Sequence, residues 1–372
     1  MLAALLALGL LSLFGWLSVA LRPGRSWTMR PVAEDEPAPP EPAPWPRVRV
    51  VVPARNEAAL LPRTLPALAA QDYPGEWSIV VVDDRSTDGT AELARSIGGL
   101  VSVRPGRPLP EGWAGKVWAL QQGTEDAAER YLLLTDADIL HAPGSLRRLV
   151  AESEARGLGL NSRMARLRCD SAVERLLIPS FVWFFNLLYP MSRVNDAGSP
   201  VAAAAGGCVL LRTDALRAAG GFTAIRGEII DDVNLARAIK RSGASLRLSL
   251  SRSDVKSLRE YETLGPVWRM VRRTAFTELG RSWLRVLGAL LSMLLMFAVP
   301  PLLIASAAID RRHLAAGALG LTSWILMAAL YAPAPRFFGL SGLRAALLPL
   351  SGALYGLMTL DSALRGGRGD WR

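Results

Sequence analysis

The chain is poor in the residues that build metal centres and disulfide frameworks. Its 372 residues include only two cysteines, Cys169 and Cys208, and two histidines, His141 and His313. The cysteines have no metal-ligand spacing and make no disulfide framework, so reduced thiols are expected. The histidines are too few and too far apart for a histidine-based metal centre. The net charge is +10, yet no zinc finger, helix-turn-helix or RNA-binding signature accompanies it, and nucleic acid is not an expected partner. No internal repeat is present.

Charge itself is missing from long stretches. Met1–Leu21, Val286–Ile309 and Leu314–Tyr331 contain no charged residue, and Ala345–Leu360 is a fourth, shorter apolar run. The first two are long enough to span a bilayer and the third is at the lower limit. Met1–Leu21 lacks a basic n-region and a clear small-x-small site, which predicts a retained anchor rather than a cleaved signal. Arg22, Arg25 and Arg30 follow it, and Arg281 and Arg285 flank the next span. The positive-inside bias then predicts an external N-terminus and a cytoplasmic central domain, in a multi-pass protein of the cell (inner) membrane. Attraction to an anionic leaflet accounts for the basic balance.

The expected organisation is an anchor over residues 1–21, a Pro-rich linker over 22–46, a domain over 47–280, and a membrane region of two or three spans over 284–362. The linker is predicted to be extended and semi-rigid. Strands are predicted at Arg47–Val52, Trp77–Val82, Leu100–Val103, Tyr131–Thr135 and Ser245–Leu250. Helices are predicted at Asn56–Ala70, Thr87–Ser96, Gly115–Ala128 and Val233–Lys240. Their alternation predicts an α/β domain with a mostly parallel sheet covered on both faces. Glu174–Tyr189 is aromatic and interrupted by Pro179. It reads as a helix lying at the membrane interface, with Trp183 and Phe184 toward lipid and Ser180 and Asn186 as polar breaks.

Four segments carry chemistry, and all follow predicted strands or open helices. Pro53-Ala-Arg55-Asn56-Glu57 offers polar groups for a base or ribose. Asp83-Asp84, ahead of Arg85–Thr90, offers carboxylates for the same task, although an Asp-Gly turn and helix cap explain part of that motif. Gly112-Trp-Ala-Gly-Lys116 opens a helix with a lysine, which suits a phosphate. Tyr131–Asp138 ends an apolar run in Asp136 and Asp138. Two such carboxylates can hold a hard divalent cation (Mn²⁺ or Mg²⁺) together with substrate phosphates. Ligands in sheets of this type bind beyond the carboxyl ends of the strands, where Asp83, Asp84, Asp136 and Asp138 are all expected.

In this order the motifs resemble the family 2 glycosyltransferases, over about Val50–Ala275. More narrowly, with the N-terminal anchor, C-terminal spans and Gly-Trp-Ala-Gly-Lys, the chain is similar to the hopanoid-biosynthesis-associated glycosyltransferases and to ceramide glucosyltransferases. The resemblance implies a GT-A fold, a nucleotide-diphospho-sugar donor, with a UDP-sugar expected, and a lipid hydroxyl as acceptor. It implies nucleotide-sugar binding by Pro53, Arg55, Asn56, Glu57, Asp83, Asp84, Lys116 and Asp136, and metal binding by Asp136 and Asp138. Gly206-Gly207 and Gly220-Gly221-Phe222 resemble the acceptor-side loop. Glu228–Leu235 resembles the family's Glu-Asp-x-x-Leu motif, with Asp231 in the glutamate position and Asp232 matching the catalytic base. Arg269 and Arg272 resemble an arginine motif that approaches the diphosphate, but Arg273 stands where that motif carries tryptophan. A processive polysaccharide synthase and a non-catalytic nucleotide-sugar-binding protein are the rival readings. The first should carry the intact arginine–tryptophan motif; the second has no need of the full set of acids.

Overall fold

The computed structural model describes residues 1–366. The chain forms two compact units. One comprises Arg30–Arg168 with Met191–Glu260; the other comprises Met1–Met29, Cys169–Pro190 and residues 261–366.

The first unit is built on nine strands: β1 Val48–Ala54, β2 Trp77–Asp83, β3 Val101–Pro105, β4 Tyr131–Thr135, β5 Ile139–His141, β6 Leu160–Met164, β7 Cys208–Arg212, β8 Leu246–Leu250 and β9 Val255–Ser257. Seven form one sheet in the order β3-β2-β1-β4-β7-β6-β8, and β5 pairs with β9 in a small second sheet. Val48, Val50, Val51 and Val52 are buried from both sides, as a parallel strand covered by helices requires. β1 runs parallel to β2 and β4, with Ala54 beside Asp83 and Val51 beside Leu134. The polar segments after β1, β2 and β4 therefore emerge together at one end of the sheet. β7 is antiparallel to β4, with Cys208 beside Thr135. That reversal brings the residues before β7, Gly206 and Gly207, to the same end.

β6 carries the sequence Leu-Asn-Ser-Arg-Met, which has no apolar pattern, yet all five residues are buried. Asn161 and Arg163 both bond Glu152, and Arg163 also donates to Ser249 Oγ at 2.7 Å. A paired, hydrogen-bonded ion cluster takes the place of side-chain hydrophobicity there.

The Pro-rich stretch differs from a free linker. Leu250 N donates to Pro31 O at 2.9 Å, at the end of β8. Glu34 Oε1 accepts from Ser251 Oγ and from the amides of Arg252, Ser253 and Asp254 at 2.7–3.0 Å. Asp35 pairs with Arg252, and Glu36 with Arg156 and Arg247. The acids scattered among the prolines find arginines on the domain, and this dense pairing straps residues 31–36 to it.

Among the described residues five helices are long and apolar enough to cross a membrane: Leu2–Ala20, Ala172–Val194, Trp283–Ile309, Arg311–Phe337 and Gly342–Leu364. Leu11, Phe14, Leu287, Leu302, Ile325 and Leu357 are exposed along them, an apolar outer surface suited to lipid. The helix Ala172–Leu188 opens with a capping box formed by Ser171 and Glu174. Its aromatic residues do not form the expected lipid-facing surface. Trp183 is fully buried, 6.4 Å from Trp16 and 5.4 Å from Tyr331 between ring centroids, and Phe184 packs on Tyr355 and Phe297. The polar breaks are buried too: Asn186 Nδ2 donates to Ser26 O, and Ser180 Oγ to Leu177 O. Satisfied internally, they cost little in an apolar interior. The chain enters this helix after β6 and leaves it before β7, which is β6's neighbour in one sheet. A full crossing here would put halves of one sheet on opposite sides of a bilayer.

Candidate active site

Lys116, the second residue of the helix Gly115–Thr124, reaches Asp136 just beyond β4. Its Nζ lies 2.7 Å from Asp136 Oδ1 and 3.4 Å from Asp231 Oδ2. Asp231 and Asp232 open the helix Asp231–Arg241, where the macrodipole favours acids. Asp232 Oδ2 accepts from the amide of Gly206 at 2.8 Å, and its Oδ1 from the amide of Val233 at 2.8 Å. Pro53, Lys116, Asp136, Gly206, Asp231 and Asp232 line one small cleft, floored by Leu120, Leu134, Val209 and Leu235. Residues 53, 116, 136 and 206 come from four separate segments, so the fold rather than local sequence assembles the cleft.

Electrostatics divide the acids of this cleft. Burial, with the neighbouring Asp231 charge, pushes the Asp232 carboxyl up to about 7, against the opposing pull of Lys116 and two amides. Burial disfavours the Lys116 ammonium, but Asp136 and Asp231 outweigh it and hold the group above its ordinary value. A carboxyl that titrates near neutrality, beside the Gly206 turn, is equipped to take a proton.

Asp138 lies 6% exposed and faces a different cation. Its Oδ2 accepts from Ser257 Oγ at 2.7 Å and from Arg259 Nε at 3.3 Å, and Arg259 Nη2 reaches Glu57 Oε1 at 2.7 Å. Burial raises the Glu57 carboxyl; Arg259 opposes this, while Asp138 and Asp136 add to it. Burial also raises Asp136, Lys116 opposes, and Asp138 raises it further. Glu57 and Asp136 thus both feel the negative charge of Asp138. Among the described residues no group of three or more His, Cys, Asp or Glu side chains is arranged to hold an ion by itself. A metal here needs further oxygens from a ligand.

At the other end of the sheet edge, Asp84 pairs with Arg55 at 3.3 Å and with Arg85 at 3.7 Å. Asn56, at a φ of 56°, accepts from the amide of Thr87 at 2.9 Å and donates its own amide to Ser86 Oγ at 2.9 Å. These contacts lock the loops after β1 and β2 together. Asp83 is 9% exposed and its Oδ1 accepts no hydrogen bond. A buried acceptor left open costs free energy unless a ligand donor fills it.

A buried relay supports the cleft from below. Gln71 Oε1 accepts from Ser145 Oγ, which meets His141 Nδ1 at 3.2 Å; His141 Nε2 meets Thr135 Oγ1 at 2.8 Å, and Thr135 Oγ1 donates to Gly207 O at 2.8 Å. Burial lowers His141 to about 4, so the imidazole is neutral and carries one N–H; one of the two hydroxyls must then turn its own proton to the ring. A Cβ on Gly207 would meet Ile139 Cδ1 at 2.9 Å, so the isoleucine tip would have to shift to admit one.

The structure thus gathers Pro53, Lys116, Asp136, Gly206, Asp231 and Asp232 in one cleft, and Glu57 and Asp138 around Arg259. Arg269 and Arg272 lie outside this unit, on the helix Leu264–Glu278, where Arg272 Nη1 is 4.0 Å from Asp361. Arg259 and the His141 relay had no motif to mark them. Both depend on the pairing of β5 with β9, two strands of three residues each, too short for a periodic pattern.

Residues 49–219 match the model of glycosyl transferase family 2. The matched segment is a little under half of the chain, and the sheet has the GT-A fold. It is 34% identical over 115 residues to 4,4'-diaponeurosporenoate glycosyltransferase of Staphylococcus haemolyticus, covering 30% of each chain. It is 31% identical over 126 residues to undecaprenyl-phosphate 4-deoxy-4-formamido-L-arabinose transferase of Aeromonas hydrophila, covering 33% of this chain and 38% of the relative. Dodecaprenyl-phosphate galacturonate synthase of Rhizobium johnstonii is 31% identical over 141 residues, with 37% and 41% covered. The chain matches only about a third of the length of these relatives. Among solved structures, the mannosyltransferase PcManGT of Pyrobaculum calidifontis, in complex with GDP-Man and Mn²⁺, superposes with a TM-score of 0.60 at 22% identity, covering 96% of this chain and 99% of that one.

Proposed function

We propose that this chain is a membrane-embedded, inverting glycosyltransferase that moves a sugar from a nucleotide-diphospho-sugar, a UDP-sugar, to the hydroxyl of a hopanoid- or ceramide-like lipid. The observation that carries the reading is the placement of Asp232, fixed by the Gly206 amide on the acceptor-side turn and flanked by Lys116 and Asp136.

Each residue has a task in a single displacement. Asp83, with its open Oδ1, accepts a hydrogen bond from the nucleotide base, and the interlocked Arg55–Asn56 and Asp84–Ser86 loops shape the ribose site. Asp136 and Asp138 would hold Mn²⁺ or Mg²⁺, which would supply positive charge to stabilise the departing diphosphate. Lys116 adds a fixed positive charge at the helix start. Asp232 takes the proton of the acceptor hydroxyl as its oxygen attacks the anomeric carbon.

A lipid phosphate is the rival acceptor, because two relatives carry a polyprenyl phosphate in their names. A phosphate has no proton that must leave for it to attack, and its charge is repelled by Asp231 and Asp232. A poised carboxylate favours a hydroxyl. The domain faces the cytoplasm, where nucleotide sugars are made, with one span before it and three after it. Incubating the purified protein with a panel of radiolabelled nucleotide sugars and either hydroxylated lipids or polyprenyl phosphates tests the reading. Label entering only polyprenyl phosphate would overturn the acceptor assignment.

A further inference from the structure

We propose that Arg259 acts as a removable counter-ion on Asp138, one that a divalent cation displaces only when a nucleotide diphosphate arrives to receive the guanidinium. The inference rests on the proposed assignment of Asp136 and Asp138 as cation ligands.

The geometry of Arg259 is that of a bridge. β9 ends at Ser257, which lies beside Ile139 in the β5–β9 pair. The amide of Leu258 donates to Asp138 O at 2.9 Å, which fixes the chain here. Two residues beyond β9, the guanidinium sends Nε to Asp138 at 3.3 Å and Nη2 to Glu57 at 2.7 Å. It therefore cross-links two loops rather than clamping one carboxylate through both nitrogens. The side chain is 45% exposed, whereas Asp138 is nearly buried.

Charge explains why such a bridge is needed. Glu57, Asp136 and Asp138 come together with Lys116 committed to Asp136 and Asp231. Without Arg259, Asp138 and Glu57 would face each other with no cation between them. Arginine stays charged at any ordinary pH, so it cannot leave by losing a proton; a competing cation must displace it. Displacement is unfavourable unless the guanidinium finds another anion. A diphosphate offers paired oxygens that match the guanidinium fork better than two separate carboxylates do. Donor and cation would then enter as a pair, and neither binds well alone. The device would also keep the ion from resting in the site without substrate.

The test is Mn²⁺ binding to the full chain in detergent, read as loss of the free-ion signal in electron paramagnetic resonance, with and without UDP. Arg259→Gln should bind Mn²⁺ in the absence of UDP about tenfold more tightly than wild type, since a unit charge a few ångströms from the ion is removed. The gain in Mn²⁺ affinity caused by UDP should shrink by a similar factor. Arg259→Lys keeps the charge but loses the fork, and should fall between the two; it carries the test if Arg259→Gln does not fold. Mn²⁺ affinity without UDP that is unchanged or weaker in the folded variants would overturn the proposal. Asp138→Asn separates the two levels. If it binds Mn²⁺ with UDP as well as wild type does, the cation assignment itself fails. If it loses Mn²⁺ while Arg259→Gln behaves as wild type, only the displacement by Arg259 fails.

Discussion

The amide of Gly206 donates to Asp232 Oδ2 at 2.8 Å, and a Cβ added to Gly206 would stand 3.1 Å from Lys116 Nζ and 3.3 Å from Asp232 Oδ2. The glycine is required by close approach, since the ammonium and the carboxylate meet over its Cα. Gly206→Ala should push these groups apart by a few tenths of an ångström. Turnover should fall by about tenfold, because small misplacements of reacting groups are costly, while UDP affinity stays near wild type. Calorimetry with UDP beside a transfer assay separates the two effects.

Asp138→Ala removes a hard oxygen ligand and breaks the Asp138–Arg259 ion pair. Turnover should drop by at least about a hundredfold, the usual scale for loss of one electrostatic stabiliser. Wild-type activity should disappear in EDTA and return with Mn²⁺ or Mg²⁺. Full activity in EDTA would contradict the cation's role.

Stability should depend on pH through Glu34. Burial alone would raise its carboxyl, but the amides of Ser253 and Asp254 outweigh that and bring it down to about 2. A carboxyl lowered on folding stabilises above its ordinary value near 4.5. That contribution is lost as pH falls toward 2. Glu34→Gln should cost about 1–2 kcal/mol at pH 7, discounted for its partial exposure. The difference in melting temperature from wild type should narrow below pH 4.5 and close near pH 2.

Trp183 tests the corrected view of the helix Ala172–Leu188. Buried among Trp16, Phe184 and Tyr331, it should behave as a core residue. Trp183→Ala should destabilise by about 3–5 kcal/mol. Donor hydrolysis and transfer to lipid should then fall together with the folded fraction, followed by thermal unfolding in detergent. A selective loss of lipid transfer at unchanged stability would restore the interfacial reading.

The parts of the site that lie on strand ends were legible in the sequence. Asp83, Asp84, Asp136 and Asp138 follow apolar runs, and the parallel order of β2, β1 and β4 brings them to one edge. Lys116, Asp231 and Asp232 open helices and carry local motifs. Arg259 and His141 gain their places from the β5–β9 pair, which no periodicity announces. β6 was hidden for a different reason: its polar residues are buried because Glu152 answers them from another helix. Residues 31–36 look like linker by composition, and only the arginines of distant segments make them part of the domain. Trp183 looked interfacial because aromatic content alone does not say which face is covered.

The central claim is that Asp232 is the base for a hydroxyl acceptor. Asp232→Asn keeps the size of the side chain and an oxygen for the Gly206 amide, but cannot take a proton at neutral pH. The decisive measurement pairs UDP-sugar binding by calorimetry with the pH dependence of kcat/KM for transfer to a hydroxylated lipid. Wild type should lose activity as pH falls through about 7, where Asp232 becomes protonated. Asp232→Asn should bind the donor normally and transfer at least about a hundredfold more slowly. Loss of donor binding in Asp232→Asn, or an unchanged transfer rate, would contradict the account.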